Sequence, residues 1–198
     1  MKKILGVLIT TLLLSCTGFC SVIDYYFIGE IDTKSVVMTM VNLDGQIANT
    51  PSPEVRFWLN SPGGSVVSSI ALYDYLIRLR KDGVRVDTYA TGMCASGATI
   101  VLQAGQVRYM TPFTLFMIHG CRTAYPDAKN PWEWASQKYE NWKDRGMRKF
   151  IDDDLRDLYI CRTHLPRPLL EKMMRGDCWL HAIDAKDLHF VDKLYIGL

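Results

Sequence analysis

Acyl transfer needs a nucleophile, a base to take its proton, a group to orient the base, and donors for the oxyanion that develops on the carbonyl. The 198-residue chain offers one candidate for each role. Ser96 lies in the small-residue stretch Thr91-Gly92-Met93-Cys94-Ala95-Ser96-Gly97-Ala98-Thr99, between the apolar runs Val84 to Ala90 and Ile100 to Ala104. That pattern reads as a strand feeding the start of a helix, where N–H groups are unpaired and the helix dipole favours negative charge. A tight structural turn explains the stretch equally well when it is taken alone. His119 follows an apolar strand, where an imidazole can face a cleft, and Asp177 stands in a Gly-Asp turn from which it can accept an imidazole N–H. The loop Ser61-Pro62-Gly63-Gly64 follows a buried-strand pattern, and its glycines permit close approach of backbone N–H groups. His164, His181 and His189 have no such partners and read as surface or capping residues.

The elements that must position these groups alternate. Tyr25 to Ile31 reads as a strand, followed by a helix capped by Asp32 or Thr33 and carrying Val36, Met40, Leu43 and Ile47. Val55 to Leu59 is a buried strand, Ser65 opens a helix bearing Leu72, Leu76 and Leu79, and Asp82-Gly83 closes it. Val84 to Ala90, Val107 to Met110 and Phe113 to Ile118 complete a series of strands that implies βαβ units and a mainly parallel sheet. From Trp132 to about Cys161, one apolar stripe predicts a helix of about 30 residues, roughly 45 Å long, which exceeds what a domain this size needs for its core. Such a helix can project and pack on another subunit or curve over the surface. A short helix beginning at Pro168, a small helix from Ala182 to Leu188 and a last strand from Phe190 to Tyr195 end the chain.

With 48% hydrophobic and 22% charged residues, the chain fits one globular domain with a real core. Lys2 and Lys3 before an apolar run from Ile4 to Leu14 form a secretory signal, too short to span a bilayer comfortably. Two processing routes are open. Leu13-Leu14-Ser15-Cys16 is similar to a bacterial lipobox with Cys16 as the lipidated residue; alternatively Gly18 and Cys20 direct cleavage before Ser21. The expected domains are thus a signal over residues 1–20 and one domain over 21–198. Loss of Lys2 and Lys3 reduces the 23 basic residues to 21, against 21 acidic. A net charge near zero gives no field for nucleic acid or anionic lipid, so membrane contact is expected only through an anchor at Cys16. Export also permits disulfides. Cys161 and Cys178 bracket a short Pro-containing segment and are the candidate pair, the alternative being two buried thiols. Cys94 and Cys121 flank Ser96 and His119 at two residues' distance and read first as packed thiols, the alternatives being a disulfide near the site or a redox brake on it; no cysteine or histidine spacing suggests a metal site.

Asn60-Ser61-Pro62-Gly63-Gly64 with Leu72-Tyr73-Asp74, Gly92-Met93-Cys94-Ala95-Ser96-Gly97, Met117-Ile118-His119, and Gly176-Asp177-Cys178-Trp179-Leu180-His181-Ala182 through Phe190-Val191-Asp192 resemble, in order, the motifs of the Clp protease proteolytic subunit. The resemblance spans roughly residues 23 to 195. It implies an α/β chain of the ClpP/crotonase-like fold, with repeated ββα units around a mainly parallel sheet and a long protruding helix. It further implies Ser96 as nucleophile, His119 as general base, Asp177 as its orienter, and Gly64 and Gly97 as oxyanion donors. Ser61, Pro62 and Gly63 would belong to the substrate-binding edge. Assembly as a homo-oligomer is implied as well, and no cofactor.

Three features depart from that family. The helix after Gly64 is longer, the region between His119 and Asp177 carries the added Pro131-Trp132-Glu133-Trp134, and a signal precedes the domain. ATP is absent outside the cytoplasm and the chain has no Walker-type loop. The expected activity is therefore that of an exported serine peptidase of the periplasm or cell envelope, acting without ATP on peptides or unfolded protein segments. Two alternatives compete. A signal-peptide-peptidase-like Ser/Lys protease would pair Ser96 with Lys143 or Lys149, and an inactive protein of the same fold would bind peptides or assemble rings.

Overall fold

A computed structural model of the chain describes residues 21–121, 146, 149 and 151–197. Seven strands form one sheet: β1 (Ser21–Ile28), β2 (Pro53–Ser61), β3 (Arg85–Ala95), β4 (Arg108–Met110), β5 (Leu115–Ile118), β6 (Cys178–Leu180) and β7 (Lys193–Leu194). The main path runs β1-β2-β3-β4-β7, all parallel, as the alternation of strands and helices predicts. A branch leaves it: the end of β3 pairs with β5 in parallel, and β5 pairs with β6 antiparallel.

The sheet branches because of one irregularity. Between paired positions, β2 advances from Leu59 to Ser61 while β3 advances from Ala90 to Cys94. The surplus residues bulge at Gly92, whose φ of 62° is a region that favours glycine. Asn60 fills the bulge: its side-chain Oδ1 accepts the Met93 N–H at 3.0 Å, and a β-carbon on Gly92 would meet that amide at 2.9 Å. Before the bulge β3 pairs with β4; beyond it, Met93 to Ala95 pair with Leu115 to Met117. The stretch expected to be a turn from Thr91 onward is strand up to Ala95. The reversal is concentrated at Ser96.

Six helices are described: α1 (Thr33–Ala48), α2 (Val66–Lys81), α3 (Gly97–Leu102), α4 (151–163), α5 (Arg167–Met174) and α6 (Ala182–Asp187). Asp32 rather than Thr33 caps α1, in a capping box where Ser35 N–H donates to Asp32 Oδ1 at 2.6 Å and Asp32 N–H donates to Ser35 Oγ at 3.0 Å. The bond from the Ser35 N–H is the main reason the Asp32 carboxyl lies below its usual range. Ser65 caps α2, and Arg78, Arg80 and Lys81 occupy its last turn, where the dipole favours cations. Of the long helix expected from Trp132, residues 146, 149 and 151–163 are seen as helix; Trp132, Trp134 and the expected projection lie outside the described residues. No helix among the described residues is long and apolar enough to cross a membrane.

Alternate strand residues build the core. Val55, Phe57 and Leu59 of β2 are fully buried, as are Leu72 and Leu76 of α2, Val101 and Leu102 of α3, and Phe116 of β5. On the opposite face, strand register lines up Tyr26, Trp58, Tyr89 and Tyr109 across four strands. Neighbouring rings stack with centroids 5.9, 4.4 and 4.5 Å apart, and Tyr195 sets its edge against Trp58, Tyr89 and Tyr109. At the sheet's far end Arg108, 3% exposed, donates from Nε, Nη2 and its backbone N–H to the Asp192 carboxylate at 2.6–3.0 Å. Its Nη1 donates to Gln103 Oε1 at 2.6 Å.

Several expectations are corrected. The strand expected over Phe190 to Tyr195 is only Lys193–Leu194, because Phe190 and Val191 turn into the core and Asp192 is committed to Arg108. Helix α5 begins at Arg167, which puts Pro168 at its second position. The bridge expected between Cys161 and Cys178 is not made. Cys161 is exposed on α4 while Cys178 starts β6 facing the core, and both are free thiols.

Candidate functional site

The site forms where β3 gives way to α3. Ser96 N–H donates to Met117 O at 2.8 Å, tying the turn to the end of β5. The residue has φ 55° and ψ −125°, and its side chain caps nothing. A non-glycine residue there costs on the order of 1–3 kcal/mol. The strain frees Oγ, which would otherwise cap the helix, and turns it toward solvent and neighbours, as a strand–turn–helix elbow does for a nucleophile.

His119, one residue past β5, meets it: Nε2 lies 2.9 Å from Ser96 Oγ. The other ring nitrogen, Nδ1, lies 2.5 Å from Gly120 O. A carbonyl only accepts, so Nδ1 carries the proton and Nε2 is left as the acceptor for the serine hydroxyl. Gly120 is itself anchored, its N–H donating to Met174 O at 2.8 Å, and Cys121 N–H donates to Asp152 Oδ1 at 2.6 Å. Beside this corner a cavity of about 330 Å³ is lined by Gly120, Asp152, Arg156, Glu171, Met174 and Arg175.

Asp177 is the residue before β6 and is exposed. The β5–β6 register ends with Ile118 paired to Cys178, so His119 is the first residue beyond β5 and Asp177 the last before β6. The Gly120 carbonyl as tautomer-setting acceptor is not readable from the sequence; every residue has a carbonyl, so residue types give no signal for it. Lys149 is exposed, Lys143 lies outside the described residues, and among the described residues the imidazole is within hydrogen-bond reach of Ser96.

The glycine loop lies against the nucleophile. Ile31 N–H donates to Gly63 O and Ser65 N–H to Ile31 O, both at 2.8 Å, so the Gly64 N–H points away from this bridge. A β-carbon on Gly97 would sit 3.5 Å from Gly64 N, which makes the two amides neighbours. Gly97 opens α3, where N–H groups lack helical partners. Of the expected substrate-binding residues, Pro62 is exposed but Ser61 is fully buried, and its Oγ accepts the Gly63 N–H at 3.0 Å. The Ser61 hydroxyl therefore shapes the loop and is not open to a ligand. Cys94 is buried, which pushes its thiol up and keeps it un-ionised, in keeping with a packing role.

A strained strand-end serine, an imidazole of the right tautomer and two adjacent backbone donors on a branched parallel sheet make an arrangement of the serine-hydrolase type. Residues 25–196 match the family described as Clp protease, and the chain belongs to that family. It is 31% identical to the ATP-dependent Clp protease proteolytic subunit 1 of Chlamydia pneumoniae over 146 residues, 73% of this chain and 71% of that protein. Its fold is similar to that of a ClpP1 point mutant from Listeria monocytogenes, with a TM-score of 0.71 at 19% identity, covering 88% of this chain and 91% of the other.

Proposed function

We propose that the protein is an exported serine peptidase that cleaves peptides or unfolded protein segments without ATP. The observation carrying this reading is the 2.9 Å approach of His119 Nε2 to Ser96 Oγ, at a serine whose backbone is held in a glycine-favouring conformation. Ser96 Oγ attacks the peptide carbonyl while His119 Nε2 takes its proton. Gly64 and Gly97 N–H groups receive the oxyanion, each such donor contributing about 2.7–4 kcal/mol. His119 then gives the proton to the leaving amine, and water, deprotonated by the same nitrogen, releases the acyl group. Asp177, which precedes β6 as His119 follows β5, is the group proposed to steady the imidazolium, while the Gly120 carbonyl keeps the ring oriented.

Export rests on Lys2, Lys3 and the apolar run from Ile4 to Leu14, with either lipidation at Cys16 or cleavage before Ser21. The relative from Chlamydia is named as ATP-dependent; a chain working beyond the cytoplasm has no ATP, which restricts it to substrates that need no unfolding. Assembly as a homo-oligomer is part of the same reading, and no cofactor is required by these steps.

The test is treatment of the folded protein with an alkyl fluorophosphonate, followed by intact-mass and peptide mapping. One phosphonyl adduct on Ser96 is expected, lost in His119→Ala. An unlabelled Ser96 in folded protein removes the peptidase reading, and full labelling of His119→Ala transfers the base role to a lysine. Gly63 offers a second check. It has φ +96°, and a β-carbon there would lie 2.6–2.7 Å from Ala95 O, Gly97 N and Ser96 Cβ. Gly63→Ala is expected to lower kcat on the order of 10²-fold, because displacement near 1 Å at a reacting centre has that effect. Circular dichroism of the variant separates this from unfolding.

A further inference from the structure

A buried hydrogen-bond chain reaches the candidate oxyanion donor from behind. Thr99, the third residue of α3, donates from Oγ1 to Ser96 O at 2.6 Å, and its N–H donates to the same carbonyl at 2.9 Å. Because the Thr99 hydroxyl proton is committed to Ser96 O, its contact with Tyr159 OH at 2.7 Å has a fixed direction: Tyr159 donates and Thr99 Oγ1 accepts. Tyr159 is 2% exposed on α4, and Thr99 is fully buried. The Ser96 carbonyl and the Gly97 N–H belong to one peptide unit. Donation to the carbonyl polarises that unit, makes its N–H a stronger donor and pins its plane.

We infer that Tyr159 and Thr99 are positioning residues for the oxyanion hole: they hold and polarise the Ser96–Gly97 peptide so that the Gly97 N–H meets the developing oxyanion. This rests on the reading of Ser96 as nucleophile. Neither residue touches substrate, so ground-state binding is untouched and the effect falls on the transition state. The relay also explains an otherwise costly feature. A tyrosine hydroxyl has been placed in the core between α3 and α4, where a phenylalanine would pack without needing a partner.

The experiment compares wild type, Tyr159→Phe, Thr99→Val, Thr99→Ser and the Tyr159→Phe/Thr99→Val double variant. Steady-state turnover of a short blocked fluorogenic peptide and the second-order rate of phosphonylation by an alkyl fluorophosphonate are measured for each. Tyr159→Phe and Thr99→Val are expected to lower kcat and phosphonylation about 3- to 10-fold with KM within about 2-fold. Thr99→Ser, which keeps the hydroxyl, is expected within about 2-fold of wild type. The double variant is expected to be no slower than Thr99→Val, since the tyrosine acts only through the threonine. Wild-type kcat in Tyr159→Phe, a change confined to KM, or losses that multiply in the double variant would overturn the inference. Thermal melts identify any variant whose loss is unfolding, and Thr99→Ser keeps the test alive if Thr99→Val does not fold. Ser96→Ala run alongside separates the two ideas: if it turns over peptide as wild type does, the nucleophile reading fails first and the relay with it.

Discussion

Ser96→Ala is expected to abolish peptide turnover, with a fall in kcat on the order of 10⁶-fold, the size seen when a serine nucleophile is removed from a triad. The fold should survive, because Oγ caps no helix and its contact among the described residues is with His119 at the surface of the site. Ser96→Gly is equally inactive but moves stability upward. Glycine occupies φ 55°, ψ −125° without the strain of about 1–3 kcal/mol, less about 0.5–1 kcal/mol for its greater freedom in the unfolded chain. A gain of about 1 kcal/mol is expected, measured by chemical denaturation of the three proteins. An inactive enzyme more stable than its parent is the signature of a residue held in place for chemistry. If Ser96→Gly is less stable than Ser96→Ala, the strain is not there.

Arg108→Ala is expected to be the most damaging change away from the site. The guanidinium is nearly wholly buried, and its loss leaves Asp192 and Gln103 Oε1 with acceptors unserved. Breaking a buried pair costs about 3–5 kcal/mol. Asp192 keeps 37% of its side-chain exposure, so water compensates in part and the lower end, about 3 kcal/mol, is expected. For a chain of this length that is a fall in Tm of roughly 6–12 °C by calorimetry. The pair also sets an acid limit. Burial alone would raise the Asp192 carboxyl, but the bonds from Arg108 outweigh it and leave it below the usual range. A carboxyl depressed in the folded state stabilises above the ordinary aspartate value, about 3.9, and that contribution is lost as pH falls through the lower folded value. Wild type should therefore lose stability below about pH 4 more steeply than Arg108→Ala, which keeps the bond from its backbone N–H but has lost those from the guanidinium.

The positions proposed to carry chemistry were legible in the sequence because His119 and Gly63-Gly64 follow apolar runs that became β5 and β2, and because small residues around Ser96 separate two such runs. Period and punctuation mark such ends. The parallel sheet was legible for the same reason, from strands alternating with helices carrying Leu72, Leu76 and Leu79 on one face. What escaped were features fixed by partners distant in sequence. The three residues of β6 are too few to display a period and become a strand only because β5 has an open edge. Ser61 was expected in the substrate-binding strand edge by resemblance, and the bond from the Gly63 N–H to its buried hydroxyl is a local contact that its residue type does not announce. The bulge at Gly92 depends on an Asn60 side chain in the neighbouring strand, and Tyr159 on α4 finds its hydroxyl partner in Thr99, 60 residues away in sequence.

The ladder of Tyr26, Trp58, Tyr89 and Tyr109, closed by Tyr195, has an optical consequence. Aromatic rings held close together at fixed angles couple their electronic transitions and give the sheet a near-ultraviolet circular dichroism band of its own. The band belongs to the main path of strands and not to the β5–β6 branch that carries His119. A chain whose branch has come apart would therefore keep this colour of folded sheet while losing the acylation proposed for Ser96. The molecule thus carries separate spectroscopic and chemical reports of its two halves.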